Sequence, residues 1–439
     1  MANDFLESSS WPLGTLGDDV RIQGRIGWKG YKTSDLRDSG PLVVGGANVK
    51  SRPYIDRTGI KHLSREKFDE SPEIKLKEGD VLLVTRGNLA DAAYVDASIG
   101  EATINPSVII LAEFKGDPKY LYYYLASPVG RENVLSLSSG SSVPAIYQAH
   151  VKKLQYPKPP LAEQKAIAAV LGALDDKIEL NRRMNATLEA MAQALFQSWF
   201  VDFDPVRAKL DGCKPIGIDE TTAAFFPDSF QESSLGHIPK GWMAGKFGDI
   251  GANSRRGVKP GDIAPNTRYI ALEHMPRRSI ALGDWKDAAD VASGKSAFKK
   301  GEILFGKLRP YFHKVGVAPF DGVCSTDILV LAPHKGPEWF GFLLGHASSD
   351  ELIQFTDLAS TGTKMPRTNW SDISSFKVAV PPKSIAAAFA RNIQPMLDRI
   401  HVNLHQSRTL ATMRDTLLPK LLSGELQVAD VASKAATHL

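Results

Sequence analysis

The feature that most constrains this fold is one uninterrupted segment, residues 159–200, in a chain otherwise punctuated by glycine and proline. The segment holds a single glycine, Gly172, and no proline after its start. Glycine and proline most often interrupt helices, so a stretch of about forty residues without them predicts one long helix. A diverged copy of the segment occupies residues 381–424. The fold must therefore place two long helices.

The two segments belong to a longer internal repeat. Gly79 recurs as Gly301, 222 positions later. Three more pairs keep this spacing: Gly140 with Gly362, Pro144 with Pro366, and Pro159 with Pro381. The copies begin with similar stretches at Trp11 and Trp242, the first copy being slightly longer in its early part. Agreement at one spacing over separated motifs indicates a tandem duplication with diverged halves.

Each half has the same predicted order of elements. Short runs rich in Val, Ile and Leu, such as "DVLLVT" and "EILFGK", predict strands, and a few helices interrupt them at equivalent places. The predicted fold class is α+β, with two tandem mixed α/β domains, each followed by a long helix. The predicted boundaries are 1–157 for the first domain, 158–204 for the central helix, 205–241 for an ordered linker, 242–379 for the second domain, 380–424 for the C-terminal helix and 425–439 for a tail.

The long segments carry matching stripes at 3-4 spacing. The stripes include Leu171, Leu174, Ile178, Asn181, Leu188 and Leu195 in the first, and Ile393, Met396, Ile400, Asn403, Leu410 and Leu417 in the second. Apolar ends with polar residues at the same central depth are typical of a coiled-coil seam, in which the polar residues fix the register. An ordinary core helix is the alternative for either segment taken singly. Two copies favour an intramolecular antiparallel pair with a pseudo-two-fold axis, about 60 Å long, which we interpret as a spacer.

Composition excludes several classes of protein. Two cysteines, Cys213 and Cys324, predict no disulfide framework and are typical of a reducing cytoplasm. The N-terminus has no signal-peptide pattern, and the apolar runs are too short to span a membrane, so we expect a cytoplasmic protein. The net charge of +4 is compatible with a polyanionic partner but does not identify one.

The sequence offers little chemistry. Neither Pro-Pro pair has the flanking residues of an adenine-methyltransferase loop. The Gly294-Lys295-Ser296 triplet is not a phosphate loop, because position 289 is alanine. The ten histidines show no metal-ligand spacing. We therefore expect no catalytic residue, no metal and no cofactor on this chain.

The repeat and several motifs resemble the specificity subunit of type I restriction-modification systems. The motifs are "PPLAEQKAI…LD" with its diverged copy, and "FQSWFVDFDPVRAK", "FPDSF" and "SSLGHIPKGW" in the linker. The second helix departs from the pattern at residues 384–388, where the Leu-x-Glu-Gln entry is missing.

This resemblance implies two target recognition domains, each reading one part of a bipartite, asymmetric site in double-stranded DNA. It further implies two methyltransferase subunits on the spacer, which use S-adenosylmethionine to methylate one adenine in each half-site. Two restriction subunits can add Mg-dependent, ATP-driven translocation and cleavage.

Basic and polar clusters that recur in both domains are the candidate DNA contacts. Arg and Lys bind phosphates, and base edges are recognised by polar side chains that are long enough to reach them. They are Arg21, Arg25, Lys29, Lys32, Arg86, Ser139, Ser141 and Gln148 in the first domain, and Arg255, Arg256, Lys259, Lys307, Arg309, Lys364, Arg367 and Asn369 in the second. The competing interpretation is that each cluster is simply a solvated surface. Two other functions stay open: a coiled-coil scaffold that binds only protein, and a self-contained DNA-modifying enzyme.

Overall fold

The protein is described by a computed structural model that covers residues 2–25, 30–139, 144–360 and 365–428. The chain divides into two compact units. The first unit is Met1–Ile178 together with Thr409–Leu439, and the second is Glu179–Arg408. Each long helix therefore gives one part of its length to each unit.

The first unit is built from short elements that form three sheets. Its helices are α1 (Ala2–Ser8), α2 (Leu16–Asp19), α3 (Arg65–Asp69), α4 (Pro118–Ala126), α5 (Pro128–Ser136) and α6 (Gln148–Val151). Its strands are β1 (Leu13–Thr15), β2 (Arg21–Gly24), β3 (Leu36–Val44), β4 (Lys61–Leu63), β5 (Val81–Val84), β6 (Ala92–Tyr94), β7 (Ala102–Ile104), β8 (Val108–Ala112) and β9 (Gln155–Pro157).

The central helix α7 (Leu161–Phe200) leads into the second unit. The following helices are α8 (Asp204–Leu210), α9 (Glu220–Ala224), α10 (Phe340–Ala347), α11 (Asp350–Ala359), α12 (Trp370–Ser374) and the C-terminal helix α13 (Lys383–Ser423). The strands are β10 (Phe230–Ser233), β11 (Gly236–Pro239), β12 (Met243–Lys246), β13 (Gly251–Asn253), β14 (Gly257–Val258), β15 (Arg268–Ile270), β16 (Lys286–Asp287), β17 (Lys295–Phe298), β18 (Ile303–Gly306), β19 (Val315–Val317), β20 (Gly322–Cys324), β21 (Ile328–Pro333) and β22 (Lys377–Val380).

The sheets of the two units have the same topology. The antiparallel order β2-β8-β5-β6 in the first unit corresponds to β13-β21-β18-β19 in the second. Each unit also has a second sheet that contains one parallel pair, β3 with β7 and β15 with β20. A third antiparallel pair, β1 with β9 and β12 with β22, joins the two ends of each domain. The predicted α+β fold and the tandem duplication are therefore confirmed.

The inner strands β5 and β18 of the two four-stranded sheets are buried on both faces. In β5, Val81 and Leu83 belong to one core cluster while Leu82 and Val84 belong to another. Strand β18 repeats this division between two clusters of the second unit. Side chains alternate across a strand, so a sheet covered on both faces requires an unbroken apolar run. This explains why "DVLLV" and "EILF" lack the alternation of apolar and polar residues that is typical of a strand with one exposed face.

The two long helices pair in antiparallel fashion within each unit. In the first unit, the Glu163 Oε1 accepts from the Val428 backbone N at 3.2 Å, and the Arg414 Nη1 donates to Asp175 Oδ1 at 2.6 Å. In the second unit, Asn185 contacts Asn403 and the Trp199 ring lies 5.6 Å from that of Phe389. In each unit, later residues of α7 contact earlier residues of the C-terminal segment. This confirms the predicted antiparallel orientation.

The structure buries all of the predicted seam residues, either fully or in part. Leu171, Asn181, Ile393, Ile400 and Asn403 are buried, and Leu174, Ile178, Leu188, Leu195, Met396, Leu410 and Leu417 are half-buried. Burial of the apolar members stabilises the pair by about 1.5–3 kcal/mol for each fully covered side chain.

The segment between the helix α7 and the second domain is folded onto the second unit. Val206, Phe226 and Ile238 are buried members of its largest core cluster, and Phe230 packs against that cluster. Phe225 remains 38% exposed. The ordered linker is thus part of the core of the second unit. Within the residues that the structure describes, no helix is long and apolar enough to cross a bilayer.

Candidate nucleic-acid interface

In each unit, two loops predicted to contact DNA meet through the same backbone contacts. In the first unit, Ile146 N donates to Thr85 O at 3.1 Å, and Arg86 forms a bridge with Ala145. In the second, Thr368 N donates to Lys307 O at 3.0 Å, and Leu308 forms a bridge with Arg367. Corresponding partners lie 222 positions apart in every case. The duplication therefore preserved this loop pair, although its side chains diverged.

The loop pair of the first unit brings three of the predicted residues together. Arg86 and Ser139 are exposed, and each forms a bridge with Ala145. Gln148 is the exposed first residue of α6, and a Cβ atom on Gly24 would lie 2.5 Å from its Nε2. The missing side chain at Gly24 thus leaves room for the Gln148 amide. Arg86 and Gln148 are both exposed, and arginine and amide side chains have the donors and acceptors that base edges require.

Other predicted residues of the first unit have different surroundings. Arg21 is exposed and pairs with Glu113, with Nη2 and Oε1 at 2.6 Å. Arg21 begins β2 and Gly24 ends it, so the Cα atoms of Arg21 and Gly24 are about 10 Å apart. Lys32 is exposed at the start of a 3-10 turn, where its backbone N donates to Asp35 Oδ2 at 2.6 Å.

Arg25 differs from the sequence expectation of a surface phosphate contact. It is only 8% exposed, and its guanidinium donates to Ile104 O at 2.9 Å and to Thr103 Oγ1 at 3.0 Å. Its Cζ also lies 5.4 Å from the centre of the Tyr31 ring. Burial lowers the pKa of the Arg25 guanidinium from its usual value, an effect that nearby Tyr31 opposes. These contacts join the end of β2 to β7. Arg25 therefore stabilises the fold and is not a surface contact for a phosphate.

The second unit forms a concave basic surface. Arg255 and Lys307 line a cavity of ≈ 370 Å³ whose other lining side chains include Asn253, Ser254, Ser296 and Thr326. Arg367 lies at the neighbouring loop, with its Nη2 3.3 Å from Asp327 Oδ1, and its side chain is 54% exposed. Lys307 N in turn donates to Asp327 O at 2.9 Å. Arg255 and Lys307 therefore line one depression, and Arg367 lies on the loop that pairs with the one carrying Lys307.

Arg309 has an unusual backbone beside this surface. Its φ is +51°, in the left-handed region, and its N donates to Pro366 O at 2.8 Å. A non-glycine residue in this region costs free energy and persists only where neighbouring contacts hold it. The conformation places Arg309 between the two loops, half-buried.

The remaining predicted residues of the second unit lie at its surface. Arg256 is exposed, forms an ion pair with Glu302, and donates from Nε to Ala297 O at 3.3 Å. Lys259 precedes a 3-10 turn and is exposed. Asn369 precedes α12, where its backbone N donates to Asp372 Oδ2 at 3.0 Å. Lys29, Ser141 and Lys364 lie outside the described residues.

The prediction from the sequence did not include the polar residues that line the rest of the depression. Asn253, Ser254, Ser296 and Thr326 come from separate strands and loops, and the fold alone brings them together. Asn253 and Ser254 directly precede Arg255, so extending that basic cluster backwards would have found two of them. Within the described part of the chain, no group of three or more His, Cys, Asp or Glu residues could hold a metal ion.

Several known proteins are similar to this chain in sequence. The family described as the type I restriction modification DNA specificity domain matches residues 27–190. The type I restriction enzyme MjaIX specificity subunit of Methanocaldococcus jannaschii is 26% identical over 402 residues, covering 86% of this chain and 84% of that protein. The HindI specificity subunit of Haemophilus influenzae is 25% identical over 482 residues, covering 95% of this chain and all of that protein. The chain is therefore similar to type I specificity subunits over most of its length.

A solved structure has the same fold as this chain. The S subunit of a type I system from M. genitalium matches with a TM-score of 0.56 at 15% identity, and the alignment covers 94% of this chain and 96% of that one. Because the relatives align over both repeats and both helices, the family resemblance extends over the whole architecture of the chain.

Proposed function

We propose that this chain is a type I specificity subunit and that it reads a bipartite, asymmetric DNA site, with one half-site recognised by each unit. The observation that carries the proposal is the loop pair that recurs in both units with the same backbone contacts and different side chains. A conserved scaffold with divergent polar and basic side chains suits two readers of different sequences. The units would act as two target recognition domains.

The exposed side chains at the loops suit base and phosphate contacts. Arginine and lysine pair well with guanine, and glutamine pairs well with adenine in the major groove. In the first unit this role falls to Arg86 and Gln148. In the second unit the depression around Arg255, Lys307 and Arg367 would receive the DNA. Basic residues at the periphery would contact phosphates and give salt-dependent affinity.

The antiparallel helix pair would act as a spacer that sets the unread gap between half-sites. Its buried asparagines would fix the helix register, and a fixed register is what a spacer of constant length needs. The outer faces of the helices would hold the methyltransferase subunits. We place catalysis on those partners, with S-adenosylmethionine as methyl donor, and on restriction subunits that use ATP and Mg. This chain would contribute recognition and positioning.

The proposal can be tested by expressing the chain with its cognate methyltransferase and mapping methylated adenines across a genome by single-molecule sequencing. We expect a bipartite motif with a fixed gap and different half-sites. Methylation at a single continuous motif would contradict two-domain reading. A stable complex without salt-dependent DNA affinity would instead support a protein-binding scaffold, and methylation by the chain alone would support a self-contained enzyme.

A further inference from the structure

A carboxylate on the central helix is buried in the second unit and holds a loop of that unit. Glu189 is only 7% exposed. Its Oε1 accepts from Ser279 Oγ at 2.9 Å, and its Oε2 accepts from Ile280 N at 3.1 Å. Burial raises the pKa of the Glu189 carboxyl, and these hydrogen bonds oppose the rise. A buried carboxylate is costly unless both oxygens have partners, so this contact is specific.

The segment that Glu189 holds, residues 278–281, runs alongside β19. Arg278 N donates to His313 O at 2.9 Å, and Val317 N donates to Ile280 O at 3.0 Å. Ala281 forms a parallel bridge with Val317. Because β19 is the edge strand of its sheet, the segment covers hydrogen-bonding groups that would otherwise face solvent.

Strand β19 forms a hairpin with β18, and the loop between them carries Lys307 and Arg309. The backbone around this hairpin is constrained. Arg278, Arg309 and His313 have φ values of +54°, +51° and +51°. Non-glycine residues keep such conformations only where surrounding contacts determine them. A continuous set of contacts thus runs from the central helix through residues 278–281 to the hairpin that bears two candidate DNA contacts.

The first repeat uses a different helix contact. The position equivalent to Glu189 in the C-terminal helix is Ala411, which has no carboxylate. In the first unit, the helix residue Asp175 accepts from Tyr123 Oη at 2.8 Å and from Arg414 Nη1 at 2.6 Å. Tyr123 belongs to α4 and Arg414 to α13, so this contact does not act on the reading loops.

We propose that Glu189 is a positioning residue that fixes the reading hairpin of the second unit relative to the central helix. It thereby restricts the gap at which the second half-site is read. This inference rests on the proposed function, because it assumes that the hairpin reads DNA. The carboxylate itself touches no DNA in this account.

The test uses the full chain in complex with its methyltransferase and DNA duplexes in which the gap varies by single base pairs. The variants are Glu189→Gln, which keeps one acceptor, Glu189→Ala, and Ser279→Ala, which leaves the helix unchanged. Asp211→Asn is the matched control, since Asp211 is an exposed carboxylate of the second unit that lies outside both long helices. Methylation is measured at each half-site and gap, and thermal unfolding is measured for every complex.

The measured quantity is the ratio of methylation at the native gap to methylation at gaps one base pair longer or shorter. We expect Glu189→Gln and Ser279→Ala to lower this ratio by roughly tenfold. The sequence preference of both half-sites should be retained, and the control should match wild type. Ser279→Ala keeps the test decisive if Glu189→Ala fails to fold.

Two results would overturn the inference alone. One is a gap profile for Glu189→Gln and Ser279→Ala identical to that of the control. The other is an equal loss at all gaps that follows lowered thermal stability, which would mean a purely structural role. A wild-type complex without any gap-dependent, bipartite methylation would overturn the proposed function, and this inference with it.

Discussion

Three asparagines lie together in the seam between the long helices of the second unit. Asn403 Nδ2 donates to Asn185 Oδ1 at 2.8 Å, and Asn181 Nδ2 donates to Gln406 Oε1 at 3.0 Å and to Ser407 Oγ at 3.2 Å. Buried amides that bond across a helix pair disfavour every register in which they lose their partners. The seam is therefore specified by a few polar residues as well as by apolar burial.

Asn403 gives a direct test of this polar contact. Replacing Asn403 with alanine should lower the free energy of unfolding by about 1–3 kcal/mol, because the buried Asn185 Oδ1 loses its donor. Urea unfolding of the purified chain measures the change. Val402→Ala is the control, since Val402 is 54% exposed on the same helix. Equal stability of the two variants would show that the contact contributes nothing.

His346 should make the second unit sensitive to acid. Its ring packs 4.6 Å from that of Phe342 and 4.8 Å from that of Phe196, and burial lowers the pKa of His346 to about 3. Below about pH 6.5, His346 binds a proton in the unfolded chain but not in the folded chain. Stability is therefore lost as the pH falls.

The loss attributable to His346 should reach about 2 kcal/mol at pH 5. We expect His346→Phe to reduce the difference in unfolding free energy between pH 7 and pH 5, measured by urea titration at each pH. His237→Gln, at an exposed histidine, should leave that difference unchanged. An unaltered pH dependence in His346→Phe would contradict a buried neutral ring.

At the scale of elements, the reading surface depends on short loops held by longer strands. The bridges between Arg86 and Ala145 and between Leu308 and Arg367 are backbone contacts, so the side chains at these positions can change without loss of the loop pair. This separation lets one fold present different chemistry to DNA. It also means that a single loop residue can be altered without disturbing the sheet beneath it.

Gln148 tests the reading loops of the first unit. Gln148→Ala should reduce discrimination at one base pair of the first half-site by about 1–3 kcal/mol, since the amide can no longer reach a base edge. The measurement is the relative methylation of duplexes with each substitution in the half-sites. Gln155→Ala is the control, because Gln155 is exposed on β9. Altered preference in the second half-site would contradict the assignment of one half-site to each unit.

For the whole molecule, the sequence predicted what depends on spacing along the chain. The lack of glycine and proline predicted the first long helix, and the 222-residue repeat predicted the second helix and two equivalent domains. It did not predict the burial of Arg25, whose acceptors Thr103 and Ile104 lie far along the chain. The contact of Glu189 with Ser279 was missed for the same reason. The cytoplasmic location stays a prediction.

The paired helices are proposed to act as a spacer, and a change in their length tests this proposal most directly. Seven residues, two full turns of a coiled-coil repeat, would be inserted at matched positions in α7 and α13, and methylation mapped with the cognate methyltransferase. The added helix is about 10 Å long, equal to about three base pairs of DNA. We predict an unchanged pair of half-sites with a gap about three base pairs longer, whereas an insertion in α7 alone should abolish methylation or change the tolerated gap. An unchanged gap with altered half-site sequences in the matched variant would contradict the account.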